Sequence, residues 1–199
     1  LLSIQNLITR NTGSSIRSNR IKTLDAEAVD ALLPNEDLAL AVKANLAMIQ
    51  CADKQIDILE RTVTERIKLR AEFSFLKTVP GIGQILALTI MLETGEIKRF
   101  PTVGDYASYC RCVGSQKLSN GKKKGSGNTK NGNKYLAWAF VEAANFAIRY
   151  NARIKSFYQR KKAKSHGVLA IKAVAHKLCR ACYYIVKDQV PFDIAKAFA

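Results

Sequence analysis

A serine hydroxyl set among lysines and glycines is the feature of this sequence best suited to chemistry. Residues 114–134 read GSQKLSNGKKKGSGNTKNGNK. Ser119 lies among Lys117, Lys122, Lys123, Lys124, Lys130 and Lys134. A hydroxyl acts as a nucleophile on phosphorus when its proton has an acceptor and cations neutralise the target. On residue types alone, Ser115 and Ser126 qualify as well as Ser119. The lysines suit a run of phosphates. The glycines let main chain lie against a nucleic-acid backbone, and composition by itself would also describe a flexible linker. A stretch of this length inside one domain is more often functional.

Charge points the same way. The formal net charge is +16, and it is unevenly spread. Residues 1–105 hold 13 basic and 13 acidic side chains, whereas residues 106–187 hold 18 basic side chains and one acid, Glu142. A neutral half followed by a strongly basic half marks a polyanion binder. No apolar run reaches the roughly 18 residues of a membrane span, and no signal peptide is visible. The chain begins at Leu1, which is expected of a piece of a longer protein.

Two further groups could meet phosphate. Residues 73–99 read as an apolar helix end, the turn Val79-Pro80-Gly81-Ile82-Gly83, and a second apolar helix ending near Gly95. This is a helix-hairpin-helix pattern over 73–95. Gly81 and Gly83 would bare backbone N–H groups at a helix N-terminus; a plain tight turn would choose glycine too. Lys172, His176 and Arg180 recur every fourth residue on a helix over 167–187, a row suited to phosphates. The five cysteines imply a reducing compartment. Cys110 and Cys112 with Cys179 and Cys182 have the makings of a four-thiolate zinc site, or are small buried hydrophobes; the second pair falls within a helical pattern, and no metal ligand is assigned.

The elements that must position these groups are all helical. A short helix covers 1–10 and another 26–33. Asn35 caps a long helix whose apolar positions Leu38, Val42, Ile49, Ala52, Ile56, Leu59 and Val63, with Asn45 among them, form a heptad seam. Such a seam packs on another helix of this chain or of a second copy. A short helix over 105–112 precedes the Gly/Lys/Ser loop of 113–134. Helices over 134–150, 154–164 and 167–187 follow it. No convincing strand and no internal repeat is present. The fold class is all-α: a long coiled-coil-like helix, then a helical domain. The division falls into an arm, 1–72, and a domain, 73–199.

From about Phe75 to Tyr184 the chain resembles the C-terminal half of bacterial insertion-sequence transposases related to the Piv DNA invertase, the DEDD-type, bridge-RNA-guided serine recombinases. The resemblance is carried by LKTVPGIGQILALTIMLETGEIKRF, YASYCRCVGSQKLSNGKKKGSGNTKNGNKYL and AWAFVEAANFAIRY. It implies that 73–199 is a transposase domain and that Ser119 is the serine that attacks DNA, with Ser115 as the fallback. Lys130, Gly132 and Asn133 match the family's second motif. Asn120 stands where the family often has glycine. The heptad helix sits where the family places a coiled coil. The resemblance further implies double-stranded DNA and a structured guide RNA as partners, a homodimer or homotetramer, and a site in the bacterial cytoplasm on the nucleoid. The family's metal-binding acids, for Mg2+, belong to an RuvC-like domain with no counterpart here. This piece alone is therefore expected to bind nucleic acid without recombining it. A non-catalytic nucleic-acid-binding module, a transposase remnant, is the alternative.

Overall fold

The computed structural model describes residues 1–67, 70–114, 116–126 and 131–198, with backbone alone for 116–118, 123 and 126. The chain forms two compact units, 1–66 and 67–199. Among the described residues the fold is all-α but for one two-stranded hairpin.

The first unit is four helices around a small aliphatic core. Helix α1 (Leu2–Thr12) ends on Gly13 in the left-handed conformation, φ 69°, the usual glycine stop. Helices α2 (Ser18–Lys22) and α3 (Ala26–Leu32) follow, α3 capped by the Asp25 carboxylate on the Ala28 N–H. Helix α4 runs Glu36–Ile67, 32 residues, with the Asn35 side chain accepting from the Leu38 N–H at 3.0 Å. Ile4, Ile8, Ile21, Val29 and Leu33 close on Ala39, Val42 and Leu46 of α4.

The heptad seam therefore divides into two. Val42 is buried in this core and Ile49 is half-buried against it, while Leu38 is half-buried. The ridge that packs includes Leu46, one position beyond Asn45, because a straight helix repeats every 3.6 residues rather than 3.5. Asn45 is exposed and bonds its own helix at Ala41 O, 2.8 Å. Further along, Ala52, Ile56 and Leu59 are exposed.

The second unit is built on α8 (Lys134–Tyr150) and α10 (Gly167–Asp188). Ala139, Ala143, Ala144 and Ala147 are fully buried on one side of α8. Small side chains there let neighbouring helices approach closely. Helices α5 (Ala71–Leu76), α6 (Gln84–Thr94), α7 (Val103–Tyr109), α9 (Ala152–Lys162) and α11 (Ile194–Ala197) complete the unit, with a 3-10 turn at Ile97–Arg99. Tyr106 is the centre of an aromatic cluster with Phe100, Phe140 and Tyr183. Its hydroxyl shares a 2.9 Å hydrogen bond with Thr94, and the Tyr183 hydroxyl donates to Phe100 O at 3.1 Å. Both polar tips are thus satisfied inside the core. Burial pushes the Tyr106 phenol well above its ordinary range, so it stays neutral.

The expectation of no strand is corrected in one place. Strands β1 (Gln116–Ser119) and β2 (Lys122–Ser126) pair antiparallel across Asn120-Gly121. Asn120 has φ 51° and Gly121 φ 72°. Positive φ at both central residues is what a type I′ hairpin turn requires, and Asn-Gly is its strongest sequence signal. A lysine- and glycine-rich composition, poor in strand-formers, masks that signal.

Candidate nucleic-acid interface

The chain that leaves α7 and the chain that enters α8 are tied together. Helix α7 ends with Arg111 in a left-handed conformation, φ 55°. The Cys112 N–H reaches back to Ala107 O and the Arg111 N–H to Ser108 O, both at 2.9 Å. Arginine is an uncommon residue at that φ. Its guanidinium donates to Gly132 O from Nε at 3.1 Å and from Nη2 at 2.7 Å. Gly132 has φ 93°, and a Cβ there would overlap the Tyr109 carbonyl. The Asn133 N–H donates to Tyr109 O at 2.7 Å.

Asn133 does three things at this root. Its Oδ1 accepts from the Tyr135 and Leu136 N–H groups, capping α8. Its Nδ2 donates to a Glu93 carboxylate oxygen at the end of α6, and lies 3.5 Å from the Tyr109 hydroxyl. Arg99 stacks over the Phe100 and Tyr109 rings, 4.6 and 4.7 Å from their centroids. The bond from Asn133, then the one from Arg99, lowers the Tyr109 phenol from its ordinary value. Glu93, Arg99, Tyr109 and Arg111 did not stand out in the sequence. Only the Asn133 capping position before α8 hints at this root, and its partner Glu93 lies 40 residues away.

Between those roots the hairpin carries the candidate nucleophile. Ser119 is half-buried at the last position of β1, paired with Lys122 across the turn. Lys122 and Lys124 are exposed. The register skips Lys124 opposite the Lys117/Leu118 step, a bulge on the β2 side. Position 120 needs positive φ, which asparagine tolerates nearly as well as glycine, so Asn120 keeps the turn. Of the other candidates, Ser115 and Lys130 lie outside the described residues, and Lys117 and Lys123 are described by backbone alone. Lys134, exposed, begins α8, its Nζ 4.9 Å over the Tyr135 ring.

The glycine turn stands elsewhere on the unit. Gly81 has φ 87°, and a Cβ there would overlap Ala143 O and come within 2.7 Å of Ala147 N. Its need for glycine is met by this backbone contact with α8. Gly83 is the exposed N-cap of α6, with nothing within 4 Å of an added Cβ. The structure thus separates the two glycines into a packing position and an open helix end.

The α10 row lies beside a groove of about 900 Å³. Lys172 and Arg180 are exposed and His176 half-buried. His176 and Arg180 line the groove with Tyr184, Asp188, Asp193 and Lys196. Burial first, then Arg180 and Lys177, lowers the His176 pKa from its ordinary value.

The four clustered cysteines meet, but as thiols. Cys110 and Cys112 lie beside Cys179, and the Cys112 thiol donates to Cys110 O at 3.5 Å. Cys110, Cys179 and Cys182 are buried. Burial is the main cause that pushes Cys179 and Cys182 up, which keeps both protonated. Among the described residues no group of three or more His, Cys, Asp or Glu is placed to hold a metal ion.

Comparison with known proteins adds likenesses to this basic helical unit and its lysine hairpin. Residues 74–159 match the family described as Transposase IS116/IS110/IS902 family. The chain is 24% identical over 185 residues to the insertion element IS900 uncharacterized 42 kDa protein of Mycobacterium paratuberculosis, covering 87% of this chain and 44% of that protein. It is 24% identical over 144 residues to the transposase for insertion sequence element IS1328 of Yersinia enterocolitica, covering 70% and 43%. A probable family 20 transposase of Pseudomonas aeruginosa is 26% identical over 101 residues, covering 51% and 30%. The likeness to transposases of this type is thus carried by residues 74–159 and by relatives of about a quarter identity. The chain spans under half the length of these relatives. No helix among the described residues is long and apolar enough to cross a membrane.

Proposed function

We propose that this chain is the arm and transposase domain of an insertion-sequence transposase that holds double-stranded DNA and uses Ser119 for strand exchange. The observation that carries the reading is the placement of Ser119 at a hairpin end, paired with Lys122 and held between pinned roots. A presented hydroxyl beside cations suits attack on a phosphodiester. In that step a Ser119 Oγ–phosphorus bond forms and a phosphorus–sugar oxygen bond breaks. The serine proton leaves to a base, and the freed sugar oxygen gains one. Attack by another strand's hydroxyl on the serine ester reverses these changes and religates, with no net hydrolysis.

The lysines and the α10 row would hold phosphates, and the open N-terminus of α6 at Gly83 would add backbone donors. The resemblance assigns Mg2+ to an RuvC-like domain. The same resemblance brings a structured guide RNA, a dimer or tetramer built through the heptad helix α4, and work on the bacterial nucleoid.

The test is Ser119→Ala with the RuvC-like domain supplied. Loss of recombination, with DNA affinity kept, supports the assignment. Unchanged recombination removes Ser119 from the role and leaves a non-catalytic binding module.

A further inference from the structure

Helix α8 has a second side, adjoining its buried alanines, that the proposed chemistry does not use. Tyr135, Trp138, Phe146 and Tyr150 are 52%, 49%, 43% and 75% exposed. At 100° per residue these four fall within about a third of the helix circumference, together with Glu142 and Arg149. The stripe runs about 22 Å along the helix, at 1.5 Å per residue. Four exposed rings in one line are an unusual surface for a folded domain.

Cations stand over the rings at both ends. Lys134 Nζ lies 4.9 Å from the Tyr135 centroid and Arg149 Cζ 6.0 Å from that of Tyr150. Glu142, half-buried in the middle, is the only acid between 106 and 187. A second copy laid on this face would bring one strongly basic surface against another. A polyanion with flat apolar groups meets both the charge and the rings. Duplex DNA hides its base faces, whereas unpaired nucleotides offer them for stacking.

We infer that the outer side of α8 is a stacking platform for unpaired nucleotides, with Trp138 at its centre and Lys134 and Arg149 holding the flanking phosphates. This rests on the nucleic-acid reading above and extends it from duplex backbone to single-stranded bases. It is a binding surface, with no bond made or broken.

Trp138 is the only tryptophan in the chain and so reports on its own contact. The full chain is titrated at low salt with short oligo-dT, with an RNA hairpin bearing an unpaired loop, and with a blunt duplex. Tryptophan emission is followed throughout, and anisotropy of a labelled duplex is measured in parallel. Quenching by oligo-dT or by the RNA loop is expected, and the two arms tell DNA from RNA. Trp138→Ala should weaken single-strand binding by about tenfold or more and leave duplex affinity within about twofold; Trp138→Phe, which keeps a ring, should restore most of the loss. Duplex binding with no single-strand quenching overturns the platform and spares the proposed function. Equal loss for duplex and single strand in Trp138→Ala overturns it also. Emission that follows protein concentration, with sedimentation showing a dimer, makes a second copy the occupant and overturns it too. If the duplex fails to bind as well, both readings fall.

Discussion

The Arg111 guanidinium donates two hydrogen bonds to the Gly132 carbonyl, at 3.1 and 2.7 Å, across 21 residues of sequence. That pair closes the neck of the lysine-rich excursion. The neck fixes where the hairpin emerges, so the position of Ser119 depends on it.

Arg111→Ala should therefore loosen the hairpin before it unfolds the unit. The expected outcome is faster amide exchange over 116–126, with exchange in α8 and α10 unchanged. Exchange that accelerates everywhere, or nowhere, would remove Arg111 from this positioning role.

Gly132→Ala is the harsher change, because both φ 93° and the Tyr109 carbonyl oppose a side chain. A loss of about 1–3 kcal/mol in unfolding free energy is expected. Chemical denaturation reads it directly, and a neutral result would mean the root is not built this way.

The two glycines of the 79–83 turn should part company. Gly81→Ala forces a Cβ onto the backbone of α8 and should cost about 3 kcal/mol or more. Gly83→Asp places a good capping residue at an open N-terminus and should leave stability unchanged or slightly raised. If phosphate sits at that helix end, the same aspartate weakens duplex binding by about tenfold. Unimpaired binding would restrict the turn to packing.

His176 gives a pH test with a defined sign. Its folded pKa is lowered, burial being the larger cause and Arg180 and Lys177 the lesser. The unfolded chain then takes up the proton first. The stabilisation is complete above about pH 6.5 and is lost as pH falls through the lowered folded value. Thermal melts in that acid range should show a drop that His176→Gln lessens. Asp188 and Asp193 face the same groove with Lys196, so a phosphate bound there would favour the protonated ring. Duplex affinity should rise on acidification in the native chain more than in His176→Gln.

Helix positions were legible in the sequence because caps and periodicity are local. Lys134 to Tyr150 reads as a helix and is one, and Asn35 caps α4 as its type and place require. The contacts that shape the candidate site were not legible. Glu93 to Asn133 and Arg111 to Gly132 join residues 40 and 21 apart through side-chain geometry. Gly81 illustrates the ambiguity of one residue type: the same glycine suits a bare phosphate cradle or a close helix contact, and its contact with Ala143 is not readable from the sequence. Asn120-Gly121 shows the converse, a readable turn signal hidden by its lysine-rich flanks.

Helix α8 pairs an alanine side with no spare room to an aromatic side that stands partly open to solvent. The first is intolerant of enlargement, since each added methylene must displace backbone or a neighbouring helix. The second can be rewritten freely without moving the scaffold. Descendants of this chain can thus change what they hold while inheriting how they stand, and drift in ligand preference should collect along one line of a single helix.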